Sequence, residues 1–279
     1  MKSHFDNDTM SSMILFLDHV ICNEGQGYTN YSGKFYSTSN LFNNLYTYSL
    51  PFKQVISDSS VSGANILSGV YLNGSFIKNG QSNLISINHH NGQAFFDTGI
   101  NVSQLSGYFA VKDFNVYLTN KAEEEILFET QYYVRPKITQ NITGLAPNTL
   151  TVPAIFIKSN NSVNEPFAFG GVVDAKIEIR AIVLADSLFN LDAVCGLLRD
   201  TAHRRIPLIR NNDLGMNYLG CVNSGFYNYA NLRDIKINQA DSFYIEEVLI
   251  SKNFNFMDKI NQAIFPAFVD FTLSKIRKL

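Results

Sequence analysis

His89 and His90 are the only adjacent histidines in the 279-residue chain. Neighbours on a strand point to opposite faces and splay apart in a turn, so the pair would need further ligands to hold a metal. Flanked by Asn88 and Asn91 between two apolar runs, they are expected at a solvent-exposed hairpin tip. Glu123-Glu124-Glu125 offers three carboxylates, but acid–base catalysis needs environments that push such pKa values apart. Three in a row share one wet setting, and they read as a solvated connection that also guards a strand edge. Gly25-Gln26-Gly27 and Phe169-Gly170-Gly171 come nearest to phosphate-cradling loops. Neither is followed by Gly-Lys-Ser/Thr or set between strand and helix at the required spacing, so both read as turns. Cys195 lies on the apolar stripe of a predicted helix and His203 at its end; a core thiol and a dipole-complementing imidazole account for them. Arg199, Arg204, Arg205 and Arg210 form the densest positive cluster. A nucleic-acid face would need more cations with interleaved aromatics, and pairing with an acidic neighbouring subunit suits the four arginines equally. The expectation is a chain with no catalytic, cofactor-binding or metal-ligating residue, and not an enzyme.

Composition narrows the partners. Lys and Arg number 22 against 24 Asp and Glu, for a net charge of −2. That balance disfavours a strongly electrostatic association with nucleic acid or a membrane surface. Cys22, Cys195 and Cys221 are widely spaced, which fits neither a disulfide framework nor a zinc site. The apolar run Met13–Leu17 is stopped by Asp18, far short of a membrane span. Asp6 and Asp8 make its lead-in a poor secretion signal, so the chain is expected to stay in the cytoplasm until assembly. Asn occupies 31 positions and Trp none. AT-rich coding explains this, as does a polar surface of the kind β-rich assembly proteins use.

The elements that would position these groups are mostly strands. Residues 1–12 read as a polar terminus, and Ser11 or Ser12 caps a short helix or precedes a buried strand over MILFLDHVIC. Residues 25–50 read as a loop-rich segment anchored by Leu41, Phe42, Leu45 and Tyr48. Asn73-Gly74, between Val70-Tyr71-Leu72 and Ser75-Phe76-Ile77, predicts a type I′ hairpin, and Leu84–Ile87 with Gln93–Phe96 continues a meander. One strand is predicted from Phe109 to Leu118, returning over Ile126–Tyr132. Residues 159–166 read as a polar loop, and Lys176–Leu184 as a half-buried strand. A helix from Leu188 to His203, capped by Asp186 or Ser187, ends before Pro207. Gly220–Tyr229 reads as extended, Phe243–Ile250 and Phe268–Leu273 as strands, and Lys275–Lys278 as a solvated tail. No repeat and no βαβ alternation is visible. The expected fold is mainly β, an antiparallel barrel or sandwich with one or two short helices. Residues 1–24 would form an N-terminal arm or short helix, and residues 25–279 one β-rich domain with a helix inserted near 188–204.

The segments FLDHVICNEGQGYTNYSGKFY, SGVYLNGSFIKNGQ, INHHNGQAFF and YFAVKDFNVYLTN resemble virion structural proteins of tailed bacteriophages with AT-rich genomes, of the neck, connector or tail-completion kind. The resemblance is one of style over about two thirds of the chain, without a diagnostic motif. It implies a virion subunit assembled in the host cytoplasm that forms a ring with copies of itself between head and tail. Its partners would be virion proteins on the portal and tail sides, with passing contact with DNA in the lumen and none with a membrane. Heterologous contacts can close such rings, and the Asn30–Tyr48 segment is a candidate for strand addition to a neighbour. The alternative reading is a tail-fibre or baseplate-type β-sandwich module for glycans or host surfaces, since exposed Tyr, Phe and Asn suit sugar faces and hydroxyls.

Overall fold

A computed structural model describes residues 5–38, 41–129, 132–134, 150–217, 219, 221–252 and 264–278. It is mainly β, with mostly antiparallel sheets and a few short helices. The chain opens with α1 (Phe5–His19), which runs into a π-helical turn, Val20–Glu24. The helix begins well before Ser12: Asp6 and Asp8 sit in its first turn, where carboxylates meet the positive end of the dipole. Ser12 is an interior residue whose hydroxyl bonds the Asp8 and Ile209 carbonyls. The polar terminus of the sequence reading is therefore, from Phe5 on, part of a packed helix.

Residues 28–112 supply two four-stranded sheets around one core. In chain order the strands are β1 (Tyr28–Lys34), β2 (Tyr36–Ser37), β3 (Tyr46–Ser49), β4 (Gly69–Leu72), β5 (Ser75–Lys78), β6 (Leu84–Asn88), β7 (Gln93–Phe96) and β8 (Leu105–Lys112). The orders are β1-β8-β4-β5 and β2-β3-β7-β6. The predicted meander is thus divided, with each of its hairpins in a different sheet. Asn73 and Gly74 both have positive φ, 53° and 79°, as a type I′ turn requires. Val70, Leu84, Ile87, Phe96, Leu105, Phe109 and Val111 fill the space between the sheets. The loop-rich segment expected over 25–50 contains β1, β2 and β3, and β1 pairs along its whole length with β8.

The strand expected from Phe109 to Leu118 breaks at Asp113 and Phe114, and β9 (Asn115–Leu118) joins a third sheet. The predicted return over Ile126–Tyr132 begins instead as α2 (Glu123–Leu127), whose first turn is the acidic triplet. The chain continues through β10 (Tyr133–Val134), β11 (Thr151–Val152), β12 (Ala154–Ala168), β13 (Val172–Ala185), α3 (Leu188–Arg199), β14 (Arg205–Pro207), α4 (Asn211–Leu214), α5 (Tyr229–Asn238), β15 (Ser242–Ser251) and β16 (Phe265–Lys278). The third sheet has the order β14-β15-β16-β13-β12-β9. One of its faces buries α1 and α3: Met13, Leu17, Leu191, Cys195 and Leu198 pack with Ile177, Ile179, Phe243 and Phe271. The other face packs Phe156, Ile182 and Leu184 with Ile126 of α2.

Several further expectations are corrected. Residues 159–166 belong to β12, because the backbone of β13 pairs with them despite their polarity. Lys275–Lys278 are the end of β16, paired with Val172–Ala175. α3 stops at Arg199, before His203, and Ser187 caps it by accepting from the Asn190 N–H. The stretch expected to be extended up to Tyr229 instead delivers Asn228 as the cap of α5.

Candidate functional site

Two places combine shape with unsatisfied or convergent chemistry. The first is the hairpin of β12 and β13. β9 flanks β12 only at Ala154–Ile157. Beyond that, among the described residues, no strand lies against its outer edge. Every residue from Ser159 to Gly171 is exposed. Phe167 is 60% exposed and Phe169, in the turn, wholly so. Gly170 and Gly171 take φ of 87° and 77°, so Phe169-Gly170-Gly171 is a turn. The hairpin is stiffened by cross-strand polar pairs: Lys176 with Glu165 at 3.0 Å and the Arg277 guanidinium donating to Asn164 at 3.1 Å. Ser162 also donates to Asp6 of α1. Bulges near Asn160 and Phe167, with Pro166 between them, interrupt the ladder. Such devices stop open-ended pairing and leave Asn161–Glu165 as the regular stretch.

The second place is the junction where α1 meets both regions. Asp58 accepts from Ser60 Oγ at 2.6 Å, from the Ser60 N–H at 2.9 Å and from the Tyr229 N–H at 3.0 Å. Its other oxygen meets His19 Nδ1 at 2.7 Å, and the imidazole stacks on Tyr229 with centroids 4.5 Å apart. Burial works to raise the carboxyl pKa, but the bonds from His19, Ser60 and Tyr229 prevail and hold it below the usual range. Serine, histidine and aspartate meet here without forming a nucleophile relay. A relay needs the base to use one ring nitrogen for the serine and the other for the carboxylate. Ser60 Oγ instead donates directly to Asp58 and approaches the same Nδ1, at 3.5 Å. The arrangement ties α1, residues 57–60 and the start of α5 together. The sequence reading missed it because its members are scattered and obey no spacing rule.

Beside this junction lies a cavity of about 380 Å³ lined by Ile14, Leu15, Asp18, His89, His90 and Lys112, among others. Asp18 Oδ2 binds Lys112 Nζ at 2.6 Å, while its Oδ1 is buried without a partner. Burial raises the Asp18 pKa against the pull of Lys112. The His89 imidazole is buried and bonds the Leu67 carbonyl at 3.0 Å; burial lowers its pKa to about 4. The turn at His89–Gly92 is therefore not a free tip. Leu50, Gln54 and Val55 cross it and donate to the carbonyls of Gly92, His90 and His89, which covers His89 and leaves His90 exposed.

The remaining singled-out residues do not converge. Glu123 is not a loop carboxylate: it meets Arg180 at 2.8 Å and Lys158 at 3.4 Å. Cys195 is core, with burial raising its pKa to about 11. His203 pairs with the Tyr244 hydroxyl at 3.1 Å. Arg204 binds Glu24, Arg210 binds Asp241 and Arg199 binds the adjacent Asp200, so three of the four clustered arginines are divided among separate acids, and Arg205 is exposed at the start of β14. Gly25-Gln26-Gly27 turns tightly past α3, and a Cβ at Gly25 would stand 2.8 Å from Leu197. Among the described residues no three His, Cys, Asp or Glu side chains could hold a metal ion. No helix among them is long and apolar enough to cross a membrane. No family model matches the chain, and no curated protein matches it.

Proposed function

We propose that the protein is a virion structural subunit of a tailed phage, of the neck, connector or tail-completion kind. It would form a ring through protein–protein contacts and join portal-side and tail-side rings. The observation that carries this reading is the β12–β13 hairpin. A strand exposed on both faces, with no strand along its outer edge among the described residues and two exposed phenylalanines at its end, invites a neighbour. A hairpin from one copy laid against a different surface of the next makes a heterologous contact, which closes into a ring when the rotation permits. The four segments that resemble phage virion proteins support the same reading.

The test is sedimentation velocity and negative-stain imaging of the full chain. Rings with a central opening are expected. The double variant Phe167→Ser/Phe169→Ser should lose them while keeping the circular dichroism and thermal unfolding of the parent. A parent chain that stays monomeric at high concentration would overturn the reading.

A further inference from the structure

The outer face of the β1-β8-β4-β5 sheet carries a second exposed feature, remote in sequence from the hairpin. Its inner face supplies Tyr31, Val70, Leu105 and Phe109 to the core. Alternation therefore turns Ser32, Lys34, Ser106, Tyr108, Tyr71 and Phe76 outward. Register places Ser32 opposite Tyr108, and Ser106 opposite both Lys34 and Tyr71, with Phe76 next to Tyr71. The Tyr71 ring sits between the other two, 5.2 Å from Phe76 and 5.5 Å from Tyr108 in an edge-on pose. Phe76 is 51% and Tyr108 56% exposed. The position of Phe76 is built in: its ring rests on Gly69, where a Cβ would come within 2.6 Å of Cζ. The rings are thus held ready on a rigid sheet.

The charge around them selects the ligand. Between residues 25 and 112 the charged side chains are Lys34, Lys53, Lys78, Lys112, Asp58 and Asp97, and of these only Lys34, Lys78 and Asp97 are exposed. Two separated lysines are too few for a phosphate backbone, which needs a track of cations. Serine and lysine are depleted in the cores of protein–protein contacts, yet here they frame the rings. A pyranose has an apolar C–H face and a rim of hydroxyls, and the patch pairs aromatic faces with Ser32, Ser106 and the tip residue Asn73.

We propose that this face binds a neutral polysaccharide, with Phe76 and Tyr108 stacking on sugar rings and Tyr71 bracing them. The site is independent of the assembly reading. The full chain is run on native gels containing dextran, soluble starch or hydroxyethyl cellulose, and applied to an array of neutral glycans. Retardation by at least one polymer, or capture by at least one neutral glycan, is expected, with affinity reduced at least tenfold in Phe76→Ala and in Tyr108→Ala and partly kept in Tyr108→Phe. The proposal is overturned by no neutral glycan bound in either assay, by binding unchanged in the two alanine variants, or by oligo(dT) bound through the same residues. Loss of the oligomer in Phe76→Ala, seen by sedimentation, would reassign the face to contact between copies and also overturn it.

Discussion

Residues 25–112 contain no arginine; all eight arginines come later in the chain. The two halves of the fold are held accordingly. Rings pack the core of the first region, with Tyr31 stacked on Phe52 at 4.8 Å and Tyr48 edge-on to Phe96 of the adjacent strand at 5.4 Å. The six-stranded sheet adds ionic lacing to its apolar core. Arg180 grips both oxygens of Asp270 at 2.7 and 2.8 Å, and Lys275 reaches Asp241 at 2.7 Å. Ring packing carries no net charge for salt to screen, whereas exposed ion pairs weaken as salt screens them. One chain thus combines two modes of stabilisation that respond differently to solution conditions. The junction at Asp58 is one of the contacts that tie them together, beside the Gln54 side chain bonded to the Val116 backbone of β9.

The largest effect should come from cutting that junction. Asp58→Ala leaves His19, Ser60 and the Tyr229 N–H without their acceptor in a buried setting, which costs about 3–5 kcal/mol. Urea unfolding should show the loss, either as one earlier transition or as two resolved ones as the regions part. A loss below about 1 kcal/mol would mean the halves are coupled elsewhere.

Next in size is a pH effect confined to the first region. His89 is held neutral by burial down to about pH 4, while an unfolded histidine gains its proton near pH 6.5. Below pH 6.5 the unfolded state binds the extra proton, so stability falls with acid until the folded group also titrates. The span corresponds to about 3 kcal/mol. Denaturant midpoints measured between pH 7 and 4 should show this slope, and His89→Gln should reduce it while leaving the share of His90, whose pKa burial also lowers to about 4. A parallel slope in the variant would place the titrating group elsewhere.

The smallest expected effect belongs to the lacing. Arg180 is about a third exposed, so a double-mutant cycle with Asp270 should give about 1 kcal/mol or less, shrinking in 1 M salt. A coupling untouched by salt would erase the contrast between the regions.

Legibility in the sequence followed the same division between local and distant causes. Asn73-Gly74 and the Ser187 cap were readable because turn and cap chemistry is local. The outer half of β12 was not, since a strand exposed on both faces has no alternation to detect. α5 was hidden for a similar reason: only Tyr229 and Lys236 of its residues are buried, so it lacks an apolar stripe, and Asn228 was the one available signal. The acidic triplet misled because three carboxylates suit a wet loop and a helix N-terminus equally. Of the junction nothing was legible. His19, Asp58 and Tyr229 come from three distant segments, and only the folded chain brings them into hydrogen-bonding range.

The placement of α1 carries a consequence for synthesis. The helix is sandwiched against strands that include β16, and Arg277 lies 4.0 Å above the Phe5 ring. During translation the helix emerges far earlier than the strand that completes its binding surface. Until then the sheet that covers its apolar side, with Met13, Phe16 and Leu17, is incomplete. Closure of this core must therefore wait for β16, slow in the way long-range pairing is slow, and the nascent chain is most vulnerable to aggregation in that interval.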